Sequence, residues 1–325
     1  MTETTTTAPH QAAASKRAAR AHEMRWWILV VLAIAQLMVV LDATVVNIAL
    51  PSAQHDLGFS NGDRQWIVTG YSLAFGSLVM LGGRLGDMFG VRRTFLIGVV
   101  GFAAASAVGG AAPDFAMLVV ARAVQGGFGA LLAPAVLSLL TTTFTDAKER
   151  AQAIGIYSAV VGSGAAIGLL LGGVLTEYLS WRWCMYVNVV FAVVAFIGGA
   201  TLLVSRAVTD RRPLDVPGTM LAVGGLFCLV YGFSEAERTS WGTVQTIGFL
   251  IAGAVMLVAF VPVEMRVAHP LLPLRIVTDR NRGGAYFAVF TIGLSMSGVF
   301  LFLTYFLQVN LGFSPVISGL SFLPM

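Results

Sequence analysis

Two charged residues stand where charge is costly. Asp42 is the only charged residue in the apolar run from Trp26 to Leu50. Arg122 sits in the second such setting, "LVVARAVQGGFGALLAPA". A helix rising about 1.5 Å per residue over the first run crosses a bilayer core of roughly 30 Å. A carboxylate at such depth costs on the order of 2.5–3.5 kcal/mol. A side chain held there at that cost has a small set of chemistries. It can pair with a buried cation, bind a diffusible one, or take up and release a proton.

Depth brings the two charges together. Counted inward from Pro51, Asp42 lies roughly 13 Å in; counted from Phe115, Arg122 lies roughly 10 Å in. Opposite charges buried at one level pair or share a polar cavity. On the same helix Arg122, Gln125, Gly126, Gly129 and Ala133 follow 3–4 spacing and make one small-and-polar stripe. Two readings stay open. One is a structural ion pair that locks two helices. The other is a titrating site at Asp42, with desolvation favouring the neutral acid in one state and Arg122 favouring the carboxylate in another.

The elements that carry these residues are membrane helices. The chain is 57% hydrophobic and 11% charged, with a mean hydropathy of +0.82. Soluble domains carry roughly 25% charged residues. Apolar runs predict helices near 26–50, 66–85, 95–112, 115–141, 152–177, 184–205, 216–234, 244–264 and 284–308, and a tenth from about Ser314. The fold class is therefore all-α and polytopic. Residues 1–25 are polar and Thr/Ala-rich, and read as a disordered cytoplasmic tail rather than a cleaved signal.

Basic residues set the orientation. With the N-terminus in the cytoplasm, the clusters around Arg17, Arg92, Lys148, Arg211 and Arg275 fall inside. The outer loops then hold only Arg64, Arg182 and Arg238. That is the inside-positive pattern of a plasma or inner membrane protein. Trp26, Trp27, Trp66, Trp181, Trp183 and Trp241 all fall at helix ends, where amphipathic rings prefer the interface. The net charge of +4 is thus topology, and no nucleic-acid partner is expected.

Other chemistries find little support. Cys184 and Cys228 form no CxxC, and His10, His22, His55 and His269 are scattered, so no metal site or disulfide framework is expected. The only lysines, Lys16 and Lys148, follow no Gly-rich loop, which excludes a Walker A site for ATP. No nucleophile–base constellation is visible, so the chain is not read as an enzyme, and no cofactor is expected. Tyr71 and Phe75 are open to reading as pocket aromatics or as packing residues.

Two further patterns are positional. "GRLGDMFGVRR" (83–93) puts Gly83, Asp87, Gly90, Arg92 and Arg93 at a tight interhelical turn on the cytoplasmic side. It is either a plain inside-positive turn or a gate. "GAAIGLLLGGVL" (164–175) repeats glycine at Gly164, Gly168 and Gly172, followed by Gly173. That small-xxx-small spacing lets helices pack closely, as static packing or as a moving interface.

Together with "LDATVVNIALP" (41–51), "ARAVQGGFGALLAP" (121–134) and "WRWCMYVNV" (181–189), these stretches resemble the major facilitator superfamily, and within it the fourteen-helix drug:proton antiporters. The resemblance covers nearly all of 26–325. It implies an N-terminal six-helix bundle over 26–205, a linker with two inserted helices over 206–283, and the start of a second bundle over 284–325. It further implies proton-coupled export of drug-like or antibiotic small molecules. Asp42 would exchange the proton, Arg122 modulate it and Gln125 shape its surroundings. Asp87 and Arg92 would act in a cytoplasmic gate, and the helix 5 glycines would form the moving interface. Val91, Leu169 and Val190 depart from the family pattern, which has a basic residue at the first and proline at the other two. Ending inside a tenth apolar run, the sequence is expected to be a fragment or a truncated product that lacks about four helices. Two alternatives differ in what moves: another transporter, such as a metabolite or siderophore exporter or an uptake carrier, and a non-transporting scaffold. The direction of substrate movement separates the first, and absence of substrate-linked proton flux separates the second.

Overall fold

The computed structural model describes residues 23–60, 63–204, 215–267, 272, 279–313 and 315–321. The tail expected over 1–25 lies mostly outside these residues, as do parts of the linker expected over 206–283. Every regular element among the described residues is helical. They are α1 (Arg25–Leu57), α2 (Arg64–Phe89), α3 (Val91–Gly110), α4 (Phe115–Thr143), α5 (Ala147–Tyr178) and α6 (Trp183–Leu202). Then come α7 (Val216–Arg238), α8 (Val244–Arg266), α9 (Arg280–Tyr305), a π-helical turn (Phe306–Asn310) and α10 (Pro315–Ser321). The helices α1 to α8 are each long and apolar enough to cross a membrane.

Helix starts follow local chemistry. Asp114, Asp146, Asp215 and Thr243 cap α4, α5, α7 and α8 by accepting backbone N–H bonds from the first turn. Gly90, at φ 93°, makes the turn between α2 and α3 where an L side chain would be strained. One boundary differs from expectation. α1 does not stop near Pro51 but runs through it to Leu57 and ends on Gly58 in the left-handed conformation. Beyond the proline, Ala53 and the capping Gly58–Gln54 bond keep the turn helical, and Ala53 packs into a core with Trp181 and Cys184.

α1 is the axis of the bundle and packs against α4, α5 and α6; α4 packs on α2 and α3, and α3 on α6. Backbones approach where side chains are absent. A Cβ on Gly126 would overlap the Tyr71 carbonyl, and one on Gly82 would overlap the Ala130 carbonyl, so α2 and α4 touch backbone to backbone. α7 and α8 form a hairpin with Gly253 against Gly225, and α7 docks on α2 through Trp66 and Tyr231, rings 5.7 Å apart. Outward-facing Ile97, Val100, Val120, Val193 and Ile197 are exposed, as lipid contact requires.

The ends of the bundle are tied by polar clamps. Arg25 donates twice to Glu149, at 2.9 and 2.6 Å, joining the starts of α1 and α5. At the opposite end Arg182 donates to the carbonyls of Gly110 (3.0 Å) and Ala112 (2.7 Å) and pairs with Asp56 at 3.2 Å.

The close α2–α4 approach gives a stability prediction. Gly126→Ala puts a methyl group against backbone that cannot give way, and should cost about 1–3 kcal/mol. Gly76 on α2 faces open space, so Gly76→Ala should be neutral or slightly stabilising. Thermal unfolding in detergent reads the difference. Equal melting temperatures for the two variants would show that α2 and α4 separate without cost.

Candidate functional site

The site is built on α1, α3, α4 and α6. Asp42 is fully buried at mid-helix on α1. Its Oδ2 accepts from Arg122 Nη1 at 2.5 Å. Its Oδ1 accepts from Gln125 Nε2 and from Asn188 Nδ2, each at 2.8 Å. Three donors from two helices therefore surround one carboxylate.

Arg122 is held on several sides. One turn of α4 brings Gln125 Oε1 to 2.7 Å from Arg122 Nη1. Arg122 Nε donates to the Ile67 carbonyl at 3.4 Å, and the guanidinium stands 4.3 Å above the Tyr71 ring. The planar group thus uses its edge for the carboxylate and its face for the aromatic ring. Ser106, on α3, is the hub below. It donates to the Met185 carbonyl at 2.8 Å and accepts from Gln125 (3.1 Å) and Asn188 (3.0 Å). Arg122, Gln125, Ser106 and Asn188 are all at most 1% exposed.

The structure therefore gathers Asp42, Arg122 and Gln125 into one cluster. Asn188 and Ser106, absent from the sequence-based site, belong to it as well. Asn188 had a signal, being a lone amide in the apolar run of α6. Ser106 had none, since serine is unremarkable in a membrane helix. Tyr71 is explained by its cation–π contact, and Phe75 stacks on it at 5.9 Å.

The α2–α3 turn carries Gly83, Asp87, Gly90, Arg92 and Arg93, the residues of the expected gate. Asp87 and Arg93 are exposed, and Asp87 pairs with neither Arg92 nor Arg93. Arg92 instead donates to the Ala200 carbonyl at 2.8 Å, near the C-terminus of α6, where a cation is favourable. Gly83 faces Pro134 of α4.

The α5 glycines face α1. A Cβ on Gly164 would meet Val40, one on Gly168 would overlap the Thr44 hydroxyl, and one on Gly172 would press on the Val45 backbone. Gly173 is buried beside them. Leu169, where the family pattern has proline, packs with Ile48 and Leu307. Gly168→Leu should leave insertion intact but lower the melting temperature in detergent, because it wedges α5 off α1. Gly155 on the same helix faces open space and gives the control, Gly155→Leu. Quantitative membrane immunoblots and thermal unfolding in detergent separate the two effects; equal melting temperatures for both variants would exclude a packing role for Gly168.

A bundle of helices long and apolar enough to cross a membrane, with a carboxylate, a guanidinium and two amides buried between them, defines a polytopic membrane protein. The chain belongs to the Major Facilitator Superfamily, whose match covers residues 32–325. It is 54% identical over 301 residues to the puromycin resistance protein pur8 of Streptomyces alboniger, covering 93% of this chain and 60% of that one. It is 40% identical over 301 residues to the tetracenomycin C resistance and export protein of Streptomyces glaucescens, covering 92% of this chain and 56% of that one. The chain thus spans about three-fifths of the length of the curated relatives it matches. Among solved structures, a crystal structure of the peptide transporter POT superposes with a TM-score of 0.58 at 18% identity, covering 90% of this chain and 64% of that one. At that identity the likeness speaks for the fold alone.

Proposed function

We propose that the protein is a proton-coupled exporter of antibiotic-like small molecules in the plasma membrane, of the fourteen-helix drug:proton antiporter type. Its N-terminus faces the cytoplasm. The observation that carries this reading is the fully buried Asp42–Arg122 pair, whose carboxylate accepts, among the described residues, from groups on neighbouring helices. Movement of those helices would withdraw the donors and let Asp42 take a proton. The names of the relatives, which speak of resistance and export, support the direction of transport and the substrate class.

In this reading Asp42 exchanges the proton, Arg122 drives its release and Gln125 orients both. Gly164, Gly168, Gly172 and Gly173 form the surface on which α1 and α5 move. Gly83, Asp87, Gly90, Arg92 and Arg93 make the cytoplasmic gate, with exposed Asp87 available to a partner element in another state. Residues 26–205 form the N-terminal bundle, 206–283 carry the inserted pair and 284–325 begin the second bundle. Substrate passes at the midplane between two halves that alternate their access.

The test is efflux from cells making the complete gene product. A fluorescent cationic dye should leave cells while the proton gradient stands, and stay once a protonophore collapses it with ATP maintained. Efflux that survives the protonophore, or inward accumulation of the dye, would overturn the proposal.

A further inference from the structure

Within the Asp42 cluster one fully buried oxygen has no partner among the described residues. The Oδ1 of Asn188 is buried and accepts no hydrogen bond, while its Nδ2 donates twice, to Asp42 Oδ1 and to Ser106 Oγ. A buried amide oxygen left unsatisfied costs stability and needs a reason. The second amide of the cluster differs. Gln125 Oε1 is engaged by Arg122, and its Nε2 by Asp42 and Ser106, so Gln125 is locked in one orientation.

We infer that Asn188 is a positioning residue for Asp42 whose side-chain amide turns over when Asp42 changes protonation state. With Asp42 ionised, the NH2 faces the carboxylate, as seen here. With Asp42 neutral, its new O–H needs an acceptor on the Oδ1 side. Every group now touching that oxygen is a donor. A half-turn of the Asn188 amide replaces one of those donors by an acceptor, and nothing bound to its present oxygen has to be broken. Asparagine can serve both states because it carries a carbonyl and an NH2 of nearly equal shape. Serine at 106 suits the same exchange, since a hydroxyl can donate or accept.

The charged and titratable groups around Asp42 are few. α4 presents Arg122, α2 presents Tyr71 and α6 presents Cys184. α3 presents Ser106, and α5 faces α1 with glycines. None of these provides a free acceptor to the neutral acid: Arg122 has none, and the Tyr71 ring lies against the guanidinium.

The inference rests on Asp42 being the proton site, and the experiment keeps the two apart. Infrared difference spectra of the chain in lipid nanodiscs follow the carboxylic acid C=O band against pH, with side-chain 13C-labelled asparagine. Asp42→Asn should remove a titrating band. Asn188→Leu should raise the proton affinity of that band about tenfold, because a bond to the charged form is worth more than one to the neutral form. Asn188→Ser should shift it less. In the unsubstituted chain one labelled amide band, missing in Asn188→Leu, should move at the same pH as the carboxyl band. A titrating band that persists in Asp42→Asn would overturn the proton-site reading. A band lost in Asp42→Asn but unshifted in both Asn188 variants, with a still amide band, would overturn the role of Asn188 alone.

Discussion

Asp42→Asn should reduce the gradient-driven export proposed for the complete gene product to the level of empty vesicles. Asparagine keeps the size of the side chain and one acceptor oxygen for Arg122, but it cannot carry a proton. The substitution also leaves a guanidinium buried without a counter-charge, since Arg122 is 1% exposed and Asp42 is its only carboxylate partner among the described residues. Removing one partner of a buried pair costs up to about 3–5 kcal/mol, so lower thermal stability is expected beside the loss of coupling. Asp42→Asn combined with Arg122→Leu separates the two effects. Taking away both charges should recover much of the stability and none of the coupling. Asp42→Glu should keep part of the export. Proton release on substrate addition, read with a pH dye in reconstituted vesicles, is the measurement. A normal signal from Asp42→Asn would assign Asp42 a structural role only.

That result depends on residues of unequal visibility in the sequence. Asp42 and Arg122 stand out because charge in an apolar run has no other ready explanation, and simple rise per residue puts them at one depth. Gln125 follows from helical spacing. Asn188 and Ser106 do not, because each is a neutral residue whose meaning appears only when α3 and α6 are packed beside α1. The glycines divide the same way. Gly164, Gly168 and Gly172 announce themselves by a four-residue period, whereas Gly82 and Gly126 matter through carbonyls of another helix. The turn motif is legible only in part. Its glycines and charges read as a tight interhelical turn, but the reach of Arg92 to the end of α6 does not. Spacing along one segment cannot reveal that a helix terminus from a hundred residues away offers a better partner. Pro51 misleads in a related way: a proline reads as a stop, and α1 passes through it because the following turn has a core to pack against.

Arg122→Lys should insert normally and still lose most export. A bare charge would be replaced well by lysine, and Arg122 is more than a charge. Its Nη1 bonds both Asp42 and Gln125, its Nε reaches the Ile67 carbonyl, and its face covers Tyr71. An ammonium on a flexible stem cannot hold the Asp42–Gln125 geometry and the aromatic contact together. It would also be a stronger competitor for water in a site that is closed to it. Gln125 would then lose the bond that locks its amide, and the Asp42 carboxylate would keep a cation but lose its fixed neighbours. The two roles predict different kinetics. If orientation is what matters, export falls at every pH, because no shift of pH rebuilds a guanidinium fork. If charge alone matters, Arg122→Lys should reproduce the unsubstituted rate with at most a displaced pH profile. Initial export rates across a range of pH, normalised to protein in the membrane, decide between them. Full activity in Arg122→Lys would reduce Arg122 to a point charge and remove the basis for treating the cluster as one oriented network.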